Sequence, residues 1–212
     1  SPMRRGWFVV LLLLIACRRE TTLPEPTRPV PPPAQTNDGG HIVRRLESEV
    51  RTLNYVLHGT DDEHQVLSYI YDPLIAVDEN LQPIPATAAR WQISEDRRVY
   101  TLYLDPKATF SDGKPVRASD VIFTINKILG QASPMFSSAF EALDREKTTA
   151  VGDRTVRLVF SEPQAGQLYA LRIGVMPEHV YGTGDFARKR EVIGNGPYAL
   201  KQRRQGQIVL ER

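Results

Sequence analysis

Six prolines (Pro24, Pro26, Pro29, Pro31, Pro32 and Pro33) crowd the stretch from Thr21 to Asn37, with almost no large apolar residue among them. Proline fixes φ and lacks an amide proton, so such a stretch suits neither a helix interior nor a sheet ladder. It reads as an extended, polyproline-like tether. The core must therefore come from residues after the flexible joint Asp38-Gly39-Gly40, and residues 46–212 suffice for one ordinary domain. Hydrophobic residues at 41% and charged residues at 25% fit a globular body. The formal net charge is +2 and the body carries no long basic block, so no nucleic-acid partner is expected.

Upstream of the tether, the basic Met3-Arg4-Arg5 leads into an uninterrupted apolar run from Trp7 to Ala16. That run has the length of an export-signal core and is too short to span a bilayer as a helix. It ends in Leu14-Ile15-Ala16-Cys17, which resembles the bacterial lipobox. There a small residue before the cysteine admits the signal peptidase, and the thiol then carries a diacylglycerol. A thiolate is the nucleophile such a transfer needs, and several acyl chains give lasting attachment where one does not. Residues 1–17 are thus expected to be a lipoprotein signal peptide and residues 18–45 the tether. The protein is expected to be exported and held to the membrane by a lipid on Cys17, at the periplasmic face or the outer cell surface. The plain alternative is an ordinary secretory signal with a chance cysteine at its end. Cys17 is the single cysteine, and His41, His58, His64 and His179 are scattered. Neither a metal site nor a cofactor is expected from so few soft ligands.

Along the body, the apolar content of 49–56 predicts a strand, followed by the polar loop 57–62. Asp61 or Asp62 is placed to cap a helix starting near Glu63, with Val66, Leu67, Ile70 and Leu74 at helical spacing. Residues 74–77 read as a short strand and 82–89 as a Pro/Ala connector. Residues 91–94 and 99–104 read as strands, the second alternating strongly. The turn 110–116 precedes a helix from Ala118 or Ser119 to Leu129, with Gly130 as its stop. Residues 136–143 and 164–171 suggest short helices, and 173–175 a short buried strand. Residues 185–190 are helical at best. Hairpins are predicted across Gly152-Asp153 and across Gln205-Gly206.

Several pieces then occur in order: Tyr71-Asp72-Pro73-Leu74, Pro85-Ala86-Thr87-Ala88-Ala89-Arg90-Trp91, Tyr100-Thr101-Leu102-Tyr103-Leu104, Phe110-Ser111-Asp112-Gly113-Lys114-Pro115-Val116, Ala118-Ser119-Asp120-Val121, Met176-Pro177-Glu178-His179-Val180-Tyr181 and Gly194-Asn195-Gly196-Pro197-Tyr198. The series resembles the extracellular solute-binding proteins of family five, the dipeptide, oligopeptide and nickel group, over about Glu47 to Arg212. The chain departs from that pattern at Arg90, Asp105-Pro106 and Glu178, and family members are more than twice its length.

The resemblance implies an α/β, periplasmic-binding-protein-like fold of the class II type, of which residues 46–212 would be the N-terminal part of lobe one. A small α/β subdomain would be inserted at about 80–170. It implies capture of a short peptide or similar small solute for an ABC permease, by a monomer. His58, Gly59 and Thr60 would then face the ligand cleft, Gly59 letting a ligand backbone approach, while Gly194, Asn195, Gly196 and Pro197 would form the crossover at the hinge. The bland alternatives are a solvated loop at 58–60 and a plain turn at 194–197. Trp91 and Tyr100 to Leu104 are expected in the core, Asp112-Gly113 to form a turn, and Asp120 to complement a helix start.

No nucleophile elbow, zinc-protease helix or phosphate-cradling glycine loop occurs, and in the sequence nothing ties Ser111-Asp112 to His179. An enzyme is therefore not expected. The rival readings are a surface lipoprotein using the same fold for signalling or adhesion, and a truncated fragment without function of its own.

Overall fold

The computed structural model describes residues 42–212, apart from residues 132, 134, 164 and 165. The leader, Cys17 and all of the tether but residues 42–45 lie outside the described residues. At the centre is a four-stranded antiparallel sheet in the order β3 (Ala88–Ile93), β4 (Val99–Leu104), β6 (Thr155–Val159) and β5 (Thr149–Val151). Alternation in β4 turns Tyr100, Leu102 and Leu104 inward. The register places Trp91 opposite Leu102, Ile93 opposite Tyr100 and Val156 opposite Leu102, so the apolar residues share one face. Helix α2 (Ala118–Gly130) supplies the buried stripe Ala118, Val121, Ile125 and Ile128 to the same core. Each of the larger aliphatic side chains, Val121, Ile125 and Ile128, contributes about 2 kcal/mol by leaving water. The backbone amide of Arg117 donates to Asp120 Oδ2 at 2.7 Å, which fastens the helix start. On the outward face, the Arg90 guanidinium lies 3.5 Å from the Tyr103 ring centroid.

Gly152, at φ 68°, makes the tight return between β5 and β6. A second hairpin, β7 (Ala199–Arg204) with β8 (Gln207–Glu211), turns at Gly206, also left-handed. Helix α1 (Asp61–Ile70) buries Val66, Leu67 and Ile70 and gives way to extended backbone at Tyr71, just ahead of Asp72-Pro73. Proline disfavours the helical region in the residue before it.

Several expectations change. Residues 50–56 form no strand: the amides of Arg51 and Thr52 donate to Glu63 Oε1, and those of Leu57 and His58 return to the Asn54 carbonyl, so the segment turns. Its buried residues, Leu53, Tyr55 and Val56, still supply core. The expected connector at 82–89 instead contributes β2 (Pro83–Pro85), antiparallel to β1 (Ile75–Val77), and the first residues of β3. Prolines at 83 and 85 leave Ile84 as the only ladder donor of β2, which an edge strand tolerates. Neither Asp61 nor Asp62 caps α1. Thr60 does, its Oγ1 accepting from the Glu63 amide at 3.2 Å. Residues 173–175 reach only an isolated bridge between Gly174 and Pro73. The short helices shrink to single turns, 3-10 at Ser137–Phe140 and Phe186–Arg188 and α3 at Gln167–Ala170, and a further single turn, α4 (Glu178–Tyr181), forms where no helix was expected.

Among the described residues, no helix is long and apolar enough to cross a membrane.

Candidate functional site

The loop that enters α1 carries the first three candidate ligand residues, and they lie in different environments. Gly59 and Thr60 are exposed, whereas His58 is fully buried. Nothing stands within 4 Å of the position a Cβ would take at Gly59, so the space beside its backbone is open. Its amide donates to Glu63 Oε2 at 3.0 Å. The Thr60 hydroxyl is engaged in the helix cap. His58 Nδ1 faces the Tyr55 carbonyl at 2.5 Å, and Nε2 lies 3.2 Å from His64 Nδ1. Burial lowers the His58 pKa, because a charged imidazole loses its hydration there.

An aromatic wall adjoins this loop. Phe136 stacks on Tyr55 with centroids 5.4 Å apart, and its ring meets His58 at 5.5 Å. The Tyr55 hydroxyl accepts from the Gly174 amide at 2.7 Å, and burial pushes its pKa up to about 12. Sequence reasoning missed Phe136 as a neighbour of His58. Its only signal was an aromatic residue beside Met135 in a segment otherwise rich in small and polar residues.

The carboxylates of Asp62 and Glu63 act as anchors for the backbone before the loop. Asp62 Oδ2 accepts from the amides of Glu47 and Ser48 and from the Ser48 hydroxyl at 2.6–3.0 Å, and the hydroxyl contact leads in lowering its pKa. Burial pushes Glu63 upward, but the amides of Gly59, Thr52 and Arg51 outweigh it, and the carboxyl sits below its ordinary range. Among the described residues, no three His, Cys, Asp or Glu side chains converge as metal ligands.

The segment Gly194–Pro197, the expected crossover, packs on the C-terminal end of α1. The Gly196 amide donates to the Ile70 carbonyl at 2.8 Å and the Tyr198 amide to that of Tyr69 at 3.1 Å, satisfying carbonyls the helix end leaves open. A Cβ at Gly194 would collide with the Ile70 carbonyl oxygen, and one at Gly196 would come within 2.7 Å of the Ile70 carbonyl carbon. Both glycines are needed for close approach. Asn195 Nδ2 donates to Thr87 Oγ1 at 2.8 Å and to the Asp72 carbonyl at 3.3 Å. An open cleft of about 350 Å³ adjoins this segment, lined among others by Asp72, Thr87, Asp105, Lys107 and Asn195. The two sets of candidate residues are thus both fastened to α1, 58–60 at its start and 194–197 at its end.

One separation expected from sequence is overturned. His179 Nε2 lies 2.7 Å from Asp112 Oδ2, because the turn 110–116 and α4 fold against each other. Gly113, at φ 82°, makes that turn as expected. Burial raises the Asp112 pKa, and the His179 contact leads the larger opposing effects that hold the carboxyl below its ordinary value. The pair borders a cleft of about 400 Å³ with Lys114, Val180, Lys189, Glu191 and Ile193, which supply no hydroxyl or thiol. Asp120 complements α2 and also accepts from the Glu178 amide at 2.8 Å, fastening α4 to α2.

A mixed α/β body of this kind, with a helix-entry loop at 58–60 and a glycine-rich segment packed at the far end of the same helix, is built like part of a periplasmic binding protein. The family model described as bacterial extracellular solute-binding proteins, family 5 Middle, matches residues 82–212, and the chain belongs to that family. It is 32% identical over 191 residues to the peptidoglycan-binding protein YepA of Agrobacterium fabrum, covering 82% of this chain and 30% of that protein. It is 34% identical over 183 residues to Protein XP55 of Streptomyces lividans, covering 80% and 32%. Among solved structures, NikZ of Campylobacter jejuni in complex with Ni(L-His) superposes with a TM-score of 0.69 at 25% identity, covering 77% of this chain and 33% of that one. The substrate-binding protein CtaP of Listeria monocytogenes gives 0.65 at 29% identity, covering 76% and 34%. The chain spans about a third of the length of these relatives.

Proposed function

We propose that this chain forms part of the substrate-binding component of an ABC importer, capturing short peptides or similar small solutes outside the cytoplasmic membrane. Family membership is the observation that carries the reading. Relatives named for peptidoglycan, murein peptide and dipeptide binding support the peptide-sized ligand. In this reading the body is the N-terminal part of lobe one, with residues 80–170 as its inserted subdomain, and it works as a monomer alongside permease subunits. The ligand passes over Gly59, whose open flank admits a backbone. Thr60 and His58 act from behind, by fixing the loop rather than by touching the solute. Gly194–Pro197 serves as the crossover between lobes, and closure of the lobes buries the solute. A lipid on Cys17 keeps the protein at the cell envelope.

The test is a thermal-shift screen of the native protein, purified from its producing cells, against di- to pentapeptides, murein tripeptide, opines and metal–histidine chelates. A ligand present at about a hundred times its Kd adds roughly 2.7 kcal/mol and raises Tm by several degrees. A peptide or peptide-like solute that raises Tm supports the proposal, and no shift with any compound refutes it. Mass spectrometry of the N-terminal peptide tests the anchor: a diacylglyceryl mass on Cys17 is expected, and a free thiol on the mature protein contradicts it.

A further inference from the structure

The proton inventory of the His58–His64 contact has a consequence beyond solute capture. A backbone carbonyl only accepts hydrogen bonds, so His58 Nδ1, at 2.5 Å from the Tyr55 oxygen, carries a proton. In the neutral ring, His58 Nε2 is then the acceptor, and His64 Nδ1, 3.2 Å away, must be the donor. The rings lie 5.3 Å apart and 20° from parallel. Each imidazole therefore holds one proton, and both are assigned by geometry. One further proton fits on His64 Nε2 without disturbing the contact, which then becomes charge-assisted. A second leaves two N–H groups pointing at each other, with no acceptor between them, and places two like charges face to face.

We propose that His58 and His64 form a proton-sensing latch: their ring-to-ring hydrogen bond holds the loop at residues 55–60 against α1 while the pair carries at most one extra proton, and a second proton opens it. Among the described residues, few groups face His58. From α1 come His64 and the Glu63 carboxylate, which favours protonation of His58. From the segment before the loop comes Tyr55, itself in the field of Arg172. From the segment after α2 comes the uncharged Phe136. Burial dominates over Glu63 and disfavours charge on His58. With its folded pKa below the unfolded value, the unfolded chain binds more protons in between. The stabilising contribution is therefore complete above the ordinary histidine value and declines as pH falls below it. The latch bears on solute capture through the reading above, since it governs the loop that carries Gly59.

The test needs no solute, so its outcome is separate from that reading. In the native protein labelled with 15N at its histidines, both His58 and His64 should be Nδ1-protonated at pH 8. Hydrogen exchange of residues 55–60, corrected for the intrinsic pH dependence, should speed up about tenfold between pH 7 and pH 4.5. His64→Phe, which lacks the donor, should show the fast exchange already at pH 7. His64→Gln, which offers an amide donor and no titration, should keep the loop protected to lower pH than wild type. If His64→Phe fails to fold, the tautomers and His64→Gln decide. An Nε2-protonated His58 at pH 8, or a pH profile the same in His64→Gln as in wild type, overturns the latch.

Discussion

The sheet with α2 and the segments flanking α1 share one apolar core, but around α1 carboxylate, amide and guanidinium groups tie the backbone as well. Between β3 and β6 the stabilisation is apolar area: Tyr100, Leu102, Val156, Leu158, Val121, Ile125 and Ile128 share one core. Around α1, Leu53, Val56, Leu67 and Ile70 belong to that same core, and a set of polar groups reaching backbone is added to them. Asp62 and Glu63 hold the chain before the loop, Asn54 Nδ2 donates to the Phe186 carbonyl at 2.9 Å, and Arg203 Nη2 donates to the carbonyls of Val50 and Arg51 at 2.6 and 2.8 Å. Apolar area degrades gradually with small changes in shape, whereas a lost acceptor leaves a specific amide without a partner. The part of the molecule proposed to meet the solute thus depends on single atoms as well as on shared apolar area.

Three substitutions would break or sharpen that contrast. Ile125→Ala, in the sheet-facing stripe of α2, should cost about 4 kcal/mol in urea unfolding, with exchange rising throughout the sheet. Gly194→Val should cost about 3 kcal/mol, because the new side chain meets the Ile70 carbonyl at the end of α1, and the disturbance should stay on the α1 side. Glu63→Gln should cost about 2 kcal/mol at neutral pH, since one amide oxygen cannot serve three donors. Its difference from wild type should shrink in acid. The native carboxylate is stabilising above the ordinary carboxylate range, and its contribution disappears as pH falls through the depressed folded value. Equal losses at pH 7 and pH 2.5 would contradict the anchoring role.

The same contrast explains what could be read in advance. The alternation of Val99–Leu104, the stripe from Ala118 to Ile128 and the Gly152 and Gly206 turns are local patterns, and each element formed close to its expected place. The Met176–Tyr181 and Gly194–Tyr198 motifs were legible through family resemblance, but their contacts were not. Nothing local in sequence says that Gly194 must clear Ile70 or that His179 meets Asp112, 67 residues away. Residues 50–56 misled for a related reason. Their apolar content suits a strand, yet a carboxylate eleven and twelve residues later accepts from the amides of Thr52 and Arg51. His58 likewise looked like an open polar loop residue. Three aromatic rings around it and one carbonyl beneath it turned it inward.

The most direct test of the account is hydrogen exchange by mass spectrometry on the native protein, with and without the solute that gives the largest thermal shift. Protection concentrated on residues 55–64, including the amide of Gly59, is the expected result. Protection confined to the cleft beside Asn195, or to the Asp112–His179 cleft, with residues 55–64 unchanged, would contradict the placement of the solute at the entrance to α1.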